Sequence, residues 1–304
     1  MKESVHVDTP PLTHILSVDV EDYFQVEAFA GSVTRQSWGA WPSRVVDNTR
    51  RVLDLFDRCQ ARATFFFLGW VADRFPELVR DVHARGHELA CHSFWHRPVY
   101  SLKPQEFRED TRAAKSAIEQ AAGARVLGYR APTWSITKDS LWALEILLDE
   151  GFVYDSSIYP IWHDLYGVPG AKRFAYVHTF SDGRRLKEFP PATVRIAGTN
   201  FPAAGGGYLR IFPLLYTRWA FRHIAGKHGQ PVVVYCHPWE FDPGQPRIPE
   251  KLRSRFRHYT NLGRMQQRVQ ALLESYSFQP FRDMLAAGEK APASAVPVQA
   301  GSLG

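Results

Sequence analysis

His92 and His96 stand four positions apart directly after the apolar run His87–Cys91, a spacing that lets two imidazoles share one cation from a helical turn or a tight loop. Twelve histidines in 304 residues produce such a pair by chance, so it gains meaning only from companions at other strand ends. Those companions are present. The first apolar run ends in Ser17-Val-Asp19-Val-Glu21-Asp22, another in Tyr129-Arg130-Ala-Pro132-Thr133, and the last in Tyr235-Cys-His237-Pro238. Taken singly, strand-end acids cap helices, an arginine before a turn pairs with any acid, and a lone histidine is a satisfied core residue. Together they supply two histidines and a carboxylate for a divalent cation, a second carboxylate as general base, an arginine to hold that base ionised, and a separate histidine as general acid. That is the equipment of metal-assisted hydrolysis.

The elements that must position these residues alternate. Helix Val45–Gln60 carries Val46, Thr49, Leu53 and Phe56 at helical spacing. Strand Ala63–Leu68, helix Pro76–Arg85 stopped at Gly86, strand His87–Cys91, helix Pro104–Ala122 stopped at Gly123, strand Arg125–Tyr129, helix Lys138–Glu150 and strand Phe152–Tyr154 follow. Residues 159–210 are broken by proline and glycine and read as an insertion of loops and short strands built over the site. Within it, Gly205-Gly-Gly207 lacks the strand-to-helix context of a phosphate loop and reads as a lid or turn. Helix Leu214–Lys227, strand Pro231–Cys236 and helix Leu262–Tyr276 restore the rhythm. Repeated strand and helix units of this kind define an α/β sheet or barrel, whose ligand sites collect at the C-terminal ends of strands.

At 45% hydrophobic the chain can bury a large core, and one domain over residues 13–287 is expected. A flexible start, 1–12, a C-terminal extension, 240–287, and a disordered Ala/Pro/Ser/Val/Gly tail, 288–304, complete the division. The net charge is +6, but the basic residues are scattered and read as a solvated face, not a nucleic-acid footprint. Three cysteines, Cys59, Cys91 and Cys236, argue against a disulfide framework and for a reducing compartment. No secretion signal is visible at the start and no apolar run approaches membrane-spanning length, so the expectation is a cytoplasmic protein without a transmembrane span.

With these motifs in order, the chain resembles the polysaccharide deacetylases, the family of chitin, peptidoglycan and nodulation-factor deacetylases. The resemblance runs over about residues 13 to 240. Ser17-Val-Asp19-Val-Glu21-Asp22 is similar to the family's first acidic motif, His92-Ser-Phe-Trp-His96 to its His-Ser/Thr-x-x-His metal motif, Arg130-Ala-Pro132-Thr133 to its Arg-x-Pro motif, and Val234-Tyr-Cys-His237-Pro238 to its last histidine-bearing strand. It implies a distorted (β/α) barrel of about seven parallel strands, with the Pro/Gly-rich insertion over the site. It also implies a divalent metal, zinc or else cobalt, nickel or manganese, held by His92 and His96. Asp19 would be the general base, Arg130 its partner and His237 the general acid, and the Thr133 N–H would help bind an oxyanion. The acid-rich start and the long insertion look most like the subgroup encoded beside exosortase and exopolysaccharide loci.

The departures from the family pattern matter. Many relatives carry two adjacent aspartates, base then ligand, whereas Val20 follows Asp19 here. Either Glu21 or Asp22 is then the third ligand: strand alternation puts Glu21 on the face of Asp19, while the aspartate usual in relatives favours Asp22. The family's Asp and Trp pocket motif has no clear match. Asp155 is one candidate, with an Asx-turn as its alternative, and Trp134, Tyr159, Trp162 and Trp239 are candidates to line a sugar groove. The expected activity is removal of N-acetyl groups from N-acetylhexosamine units of a polysaccharide, with an N-acetylated glycan as partner. The rival readings are a hydrolase of a cyclic amide or other small acyl substrate on the same barrel, and a non-catalytic glycan-binding scaffold.

Overall fold

A strand covered on both faces has little room for unpaired polar groups, and the central strands here are buried along their whole length. In the computed structural model, which describes residues 12–290, the chain begins with β1 (His14–Val20), α1 (Val45–Arg58), β2 (Thr64–Phe67), α2 (Gly69–Arg74), α3 (Pro76–Ala84), β3 (Glu88–Cys91), α4 (Pro104–Ala122), β4 (Gly128–Tyr129), α5 (Trp142–Asp149) and β5 (Tyr154–Asp155). It continues through β6 (Tyr176–Thr179), β7 (Arg185–Glu188), β8 (Thr193–Ile196), β9 (Thr199–Pro202), α6 (Gly206–Ile211), α7 (Leu214–His228) and β10 (Val233–Cys236). It ends in α8 (Leu252–Tyr259), α9 (Leu262–Leu273), β11 (Phe278–Gln279) and α10 (Phe281–Lys290).

The main sheet runs β10-β1-β2-β3-β4-β5-β7-β6, and every pairing from β10 to β7 is parallel. This is the curled, seven-stranded parallel wall of a distorted (β/α) barrel, with β6 added antiparallel at one edge. The gap between β7 and β10 is bridged after β7, where the Ala192 N–H donates to Val233 O at 3.4 Å. Period-two alternation sorts β1 cleanly. Leu16, Val18 and Val20 join the large core under the helices, whereas Ile15 packs inside the barrel with Phe66, Ala90, Tyr154 and Val233. Ser17 and Asp19 share the parity of Ile15, which aims them into the barrel.

The short strands expected within residues 159–210 are β6 and β7, which extend the main sheet, and β8 and β9, which form their own hairpin. The C-terminal extension 240–287 is tied into the sheet and core. Its β11 pairs with β1, His14 opposite Phe278, and Phe281 plugs the barrel floor against Ile15, Phe66 and Tyr154. The flexible start and disordered tail lie, apart from Leu12 and residues 288–290, outside the described residues. α10 carries helix to Lys290, past the expected boundary at 287.

Two imidazoles at the strand starts tie stability to pH. His14 Nδ1 accepts the Val232 N–H at 3.1 Å and His87 Nδ1 the Ala63 N–H at 3.2 Å, and burial pushes each pKa down from 6.5 to about 4. The unfolded chain takes up these protons near pH 6.5 and the folded chain only near 4. Stability is therefore lost as pH falls through that window, by on the order of 1–3 kcal/mol per residue. Urea midpoints measured from pH 7 to 4.5 should fall accordingly, and less steeply in His87→Asn. An identical slope in that variant would remove His87 from the account.

Candidate active site

The site sits where the strand-end rule puts it, at the C-terminal ends of β1, β3, β4 and β10. Asp19 and Glu21 leave β1 on the same parity. Glu21 Oε2, His92 and His96 bring one ligand atom each to within 4.8 Å of one another, all three residues buried. The histidine spacing is achieved by a tight loop. Ser93 and His96 both adopt left-handed φ, 65° and 50°, a conformation costing roughly 1–2 kcal/mol for such residues. It is held because Ser93 Oγ accepts the His96 N–H at 3.0 Å and Asp110 accepts the Phe94 N–H at 2.7 Å. Arg35 donates to the carbonyls of Trp95 and His96. Gly69, at the start of α2, makes room for the loop, since a Cβ there would lie 2.4 Å from the Phe94 ring.

The donor set fits a divalent cation. Glu21 Oε2 lies 2.8 Å from His96 Nε2, yet it is buried with no hydrogen-bond partner, as expected when both atoms aim at a common point instead of at each other. Its other oxygen is taken by the Trp239 indole N–H at 3.0 Å. His92 Nδ1 lies 2.8 Å from Arg130 O, so a donated Nδ1–H leaves Nε2 with its lone pair inward, the usual support of a metal-binding imidazole. Burial pushes His92 down to about 4, which keeps it neutral and able to ligate. Burial acts to raise Glu21, but His96, with smaller effects from His237 and His92, reverses this and holds the carboxylate well below its ordinary range.

Asp22, favoured on the family pattern, is not in this cluster. Its carboxylate accepts from Ser43 Oγ at 2.6 Å and from the N–H groups of Arg44 and Val45 at 2.9 and 3.2 Å. It caps the exposed donors at the start of α1 from another part of the chain. Strand alternation, which favoured Glu21, identifies the carboxylate that faces the histidines.

Arg130 is fully buried and spends its donors on three residues: Asp19 Oδ1 at 2.6 Å, Ser17 Oγ at 2.9 Å, and Ser156 through its hydroxyl and carbonyl. The guanidinium lies 4.1 Å from the Phe66 ring centroid and 5.8 Å from that of Phe281. Across the pocket, His237 Nε2 is 3.8 Å from both Asp19 Oδ2 and Glu21 Oε1. Its Nδ1 lies 3.1 Å from Glu240 Oε2, and Glu240 in turn accepts from Arg210 Nε at 2.5 Å. Burial acts to lower His237, but the Glu240 contact and charge, with Glu21 and Asp19, lift it to about 9. Glu240, which burial alone would raise, is held at about 2 by Arg210 and His237.

Glu240 and Arg210 escaped the sequence reading. The signal for Glu240 was its place three residues after His237 with Pro238 between, the spacing of a capped turn. Arg210 had none, since it is brought in by α6. The Gly205–Gly207 run starts that helix: Gly205 and Gly206 have φ of 117° and 48°, and Cβ atoms there would meet the Tyr235 ring at 2.2 and 2.7 Å.

The pocket, about 340 Å³, is lined by Asp19, Glu21, His92, His96, Thr133, Trp134, Tyr235, His237 and Trp239, and roofed by residues of the 163–166 and 206–211 segments. Thr133 and Trp134 take left-handed φ of 56° and 54°. Two candidate substrate contacts lie outside it. Tyr159 is fully buried behind Trp134, ring centroids 5.3 Å apart. Asp155 makes the Asx-turn, accepting from the Ser157 hydroxyl at 2.5 Å and N–H at 3.2 Å, and burial pushes its carboxyl and that of Glu188 above the ordinary range. Neither reaches the pocket. Trp162 points to solvent.

This fold and site define a barrel with a hydrolytic metal-site donor set. Residues 39–147 match the profile described as polysaccharide deacetylase, and residues 156–286 one described as a domain of unknown function (DUF3473). The likeness to the polysaccharide deacetylase family thus lies in residues 39–147. It is 29% identical over 98 residues to a peptidoglycan-N-acetylglucosamine deacetylase of Bacillus cereus, covering 32% of this chain and 36% of that protein. It is 34% identical over 94 residues to a chitooligosaccharide deacetylase of Bradyrhizobium sp., covering 31% and 43%. The match thus spans less than half the length of these curated relatives. The fold is shared with a Mycobacterium smegmatis structure named for the polysaccharide deacetylases (TM-score 0.56, 20% identity, 95% and 99% of the two chains) and with an allantoinase (TM-score 0.58, 15% identity, 92% and 91%). No helix among the described residues is long and apolar enough to cross a membrane.

Proposed function

We propose that the chain is a metal-dependent N-deacetylase that releases acetate from N-acetylhexosamine units of a polysaccharide, of exopolysaccharide or cell-wall type, in the cytoplasm. The observation that carries this reading is the convergence of three separately braced groups on one pocket: Glu21 with His92 and His96, Asp19 with Arg130, and His237 with Glu240. When bound by the first group, a divalent cation, zinc in our reading, would polarise the acetyl carbonyl and make a water more acidic. Asp19 Oδ2, free of the Arg130 contact, takes the proton of the attacking water. The N–H of Thr133, a residue lining the pocket, would help bind the developing oxyanion. His237, protonated at neutral pH, gives its proton to the departing amine. Trp134, on the pocket wall, is placed to contact the sugar or acetyl group, whereas the Trp239 ring is stacked on the His237 and His258 imidazoles.

The barrel is as similar to an allantoinase as to a deacetylase, so a cyclic-amide hydrolase is the second reading. Acetate release from a panel of N-acetylated oligosaccharides, with metal content measured in parallel, decides between them. Acetate produced only by metal-loaded protein supports deacetylation. Hydrolysis of a cyclic ureide that survives a chelator, with no acetate from any glycan, would overturn it.

Glu240 matters to this scheme because His237 owes its raised pKa to it. In Glu240→Gln the burial of His237 is no longer opposed by that charge, so its pKa falls and the alkaline limb of the rate profile moves to lower pH. At pH 8, kcat should drop by ~10²-fold with metal content unchanged. An unshifted profile would take Glu240 out of the proton-transfer machinery.

A further inference from the structure

The loop from Pro160 to Tyr166 has two sides. Residues 163–166 wall the catalytic pocket, while Pro160, Ile161 and Trp162 wall a second groove of about 750 Å³. The far side of that groove is formed by the segment 169–175 and the tip of the β8–β9 hairpin. Its lining carries three cations, Lys172, Arg173 and Arg195, and no carboxylate.

None of the three makes a salt bridge among the described residues, whereas Arg50, Arg85, Arg108 and Arg184 do. Arg173 is fixed by Thr193, whose hydroxyl and carbonyl it reaches at 3.2 and 2.6 Å. Arg195 is turned by a single contact to Gly198 O at 3.2 Å. Burial, and then the charge of Arg195, lower the pKa of Arg173. The two guanidiniums therefore repel each other in a groove that supplies nothing to neutralise them, an arrangement relieved by a bound anion.

Two further features point to a sugar. Trp162, on the groove wall and next in sequence to the catalytic-pocket residue His163, is 79% exposed, a large apolar ring offered to solvent with no core function. Asn200 ties the hairpin to the loop by donating to Pro160 O at 2.7 Å, and its Oδ1 is buried without a partner at the groove wall.

We infer that this groove is a subsite for an acidic sugar unit, carried by the same glycan whose N-acetyl group enters the catalytic pocket, with Arg195 and Lys172 receiving the carboxylate and Trp162 stacking on the ring. The substrate class is then a polysaccharide in which N-acetylhexosamine alternates with or neighbours a uronic acid. This rests on the deacetylase reading of the adjoining pocket.

The test compares two probes on full-length, zinc-loaded protein carrying Asp19→Asn to suppress turnover: chitohexaose, and a desulfated chondroitin hexasaccharide, in which N-acetylhexosamine alternates with glucuronate. Calorimetry should give about tenfold tighter binding of the uronate probe. That advantage should vanish in 0.5 M salt and in a further Lys172→Gln, Arg195→Gln variant, with chitohexaose binding unchanged in both; the two cations are exposed, so the variant folds. Equal affinities for the two probes, or an advantage that survives the variant, would overturn the inference. Acetate release by the unmutated chain is measured alongside. Acetate from chitohexaose without a uronate preference sinks this inference alone, whereas no acetate from either probe and no binding sinks the deacetylase reading with it.

Discussion

Asp19→Asn should lower acetate release by ~10²–10⁴-fold, the range expected when a positioned base is lost, and leave metal content at the level of the unmodified chain. The amide keeps the shape of the carboxylate, so Arg130 still finds an oxygen where Oδ1 now lies 2.6 Å away. It cannot accept a proton at Oδ2, which faces the pocket and His237. The substitution also leaves Arg130, which is fully buried, without its charge partner. Breaking a buried pair costs about 3–5 kcal/mol in general, and the contacts to Ser17 and Ser156 absorb part of that. Activity must therefore be expressed per folded, metal-loaded molecule. A variant that is folded, loaded and still releases acetate at more than a tenth of the original rate would show that Asp19 is not the base.

Glu21→Ala and Asp22→Ala should part company completely, although the residues are adjacent and both are acids buried to 2% exposure or less. Removing Glu21 leaves His92 and His96 as the only members of the cluster. Stoichiometric metal is then lost on gel filtration and activity falls to background. Removing Asp22 strips the start of α1 of an acceptor that serves two backbone N–H groups and a hydroxyl. The expected cost is about 1–3 kcal/mol of stability, read as a fall of several degrees in Tm, with metal retained. Loss of metal from Asp22→Ala at a temperature where it is folded, with retention in Glu21→Ala, would reverse the assignment. Trp239→Phe is a softer probe of the same ligand: losing the indole donor to Glu21 should weaken metal affinity 10–100-fold.

The site was legible where one strand end carries one chemistry. Asp19, His92, His96, Arg130 and His237 each follow an apolar run, and the parallel register that aligns those runs needs only alternation to be read. Glu21 against Asp22 was legible too, from the parity of β1, but the habit of relatives pulled the other way. Glu240 and Arg210 were hidden for different reasons. Glu240 lies in a short turn that leaves no periodic trace, and Arg210 approaches from 27 residues earlier in sequence than the histidine it supports, through a helix that begins at glycines shaped by contact with the Tyr235 ring. The β6–β7 pair was lost among prolines because short edge strands carry little hydrophobic pattern; the burial of β6 is only partial.

The barrel floor sets the timing of assembly. β1 can pair with β2 as soon as the first seventy or so residues exist, but its other neighbours, β10 and β11, arrive more than two hundred residues later. Phe281, beneath the guanidinium of Arg130, is among the last core residues to be made. A growing chain therefore holds its base, its arginine and its two histidines in an unfinished wall that is open to water on one side. Contacts of such sequence separation are slow to form, and the candidate pocket is complete only once the closing strand and its phenylalanine seal the bottom of the barrel.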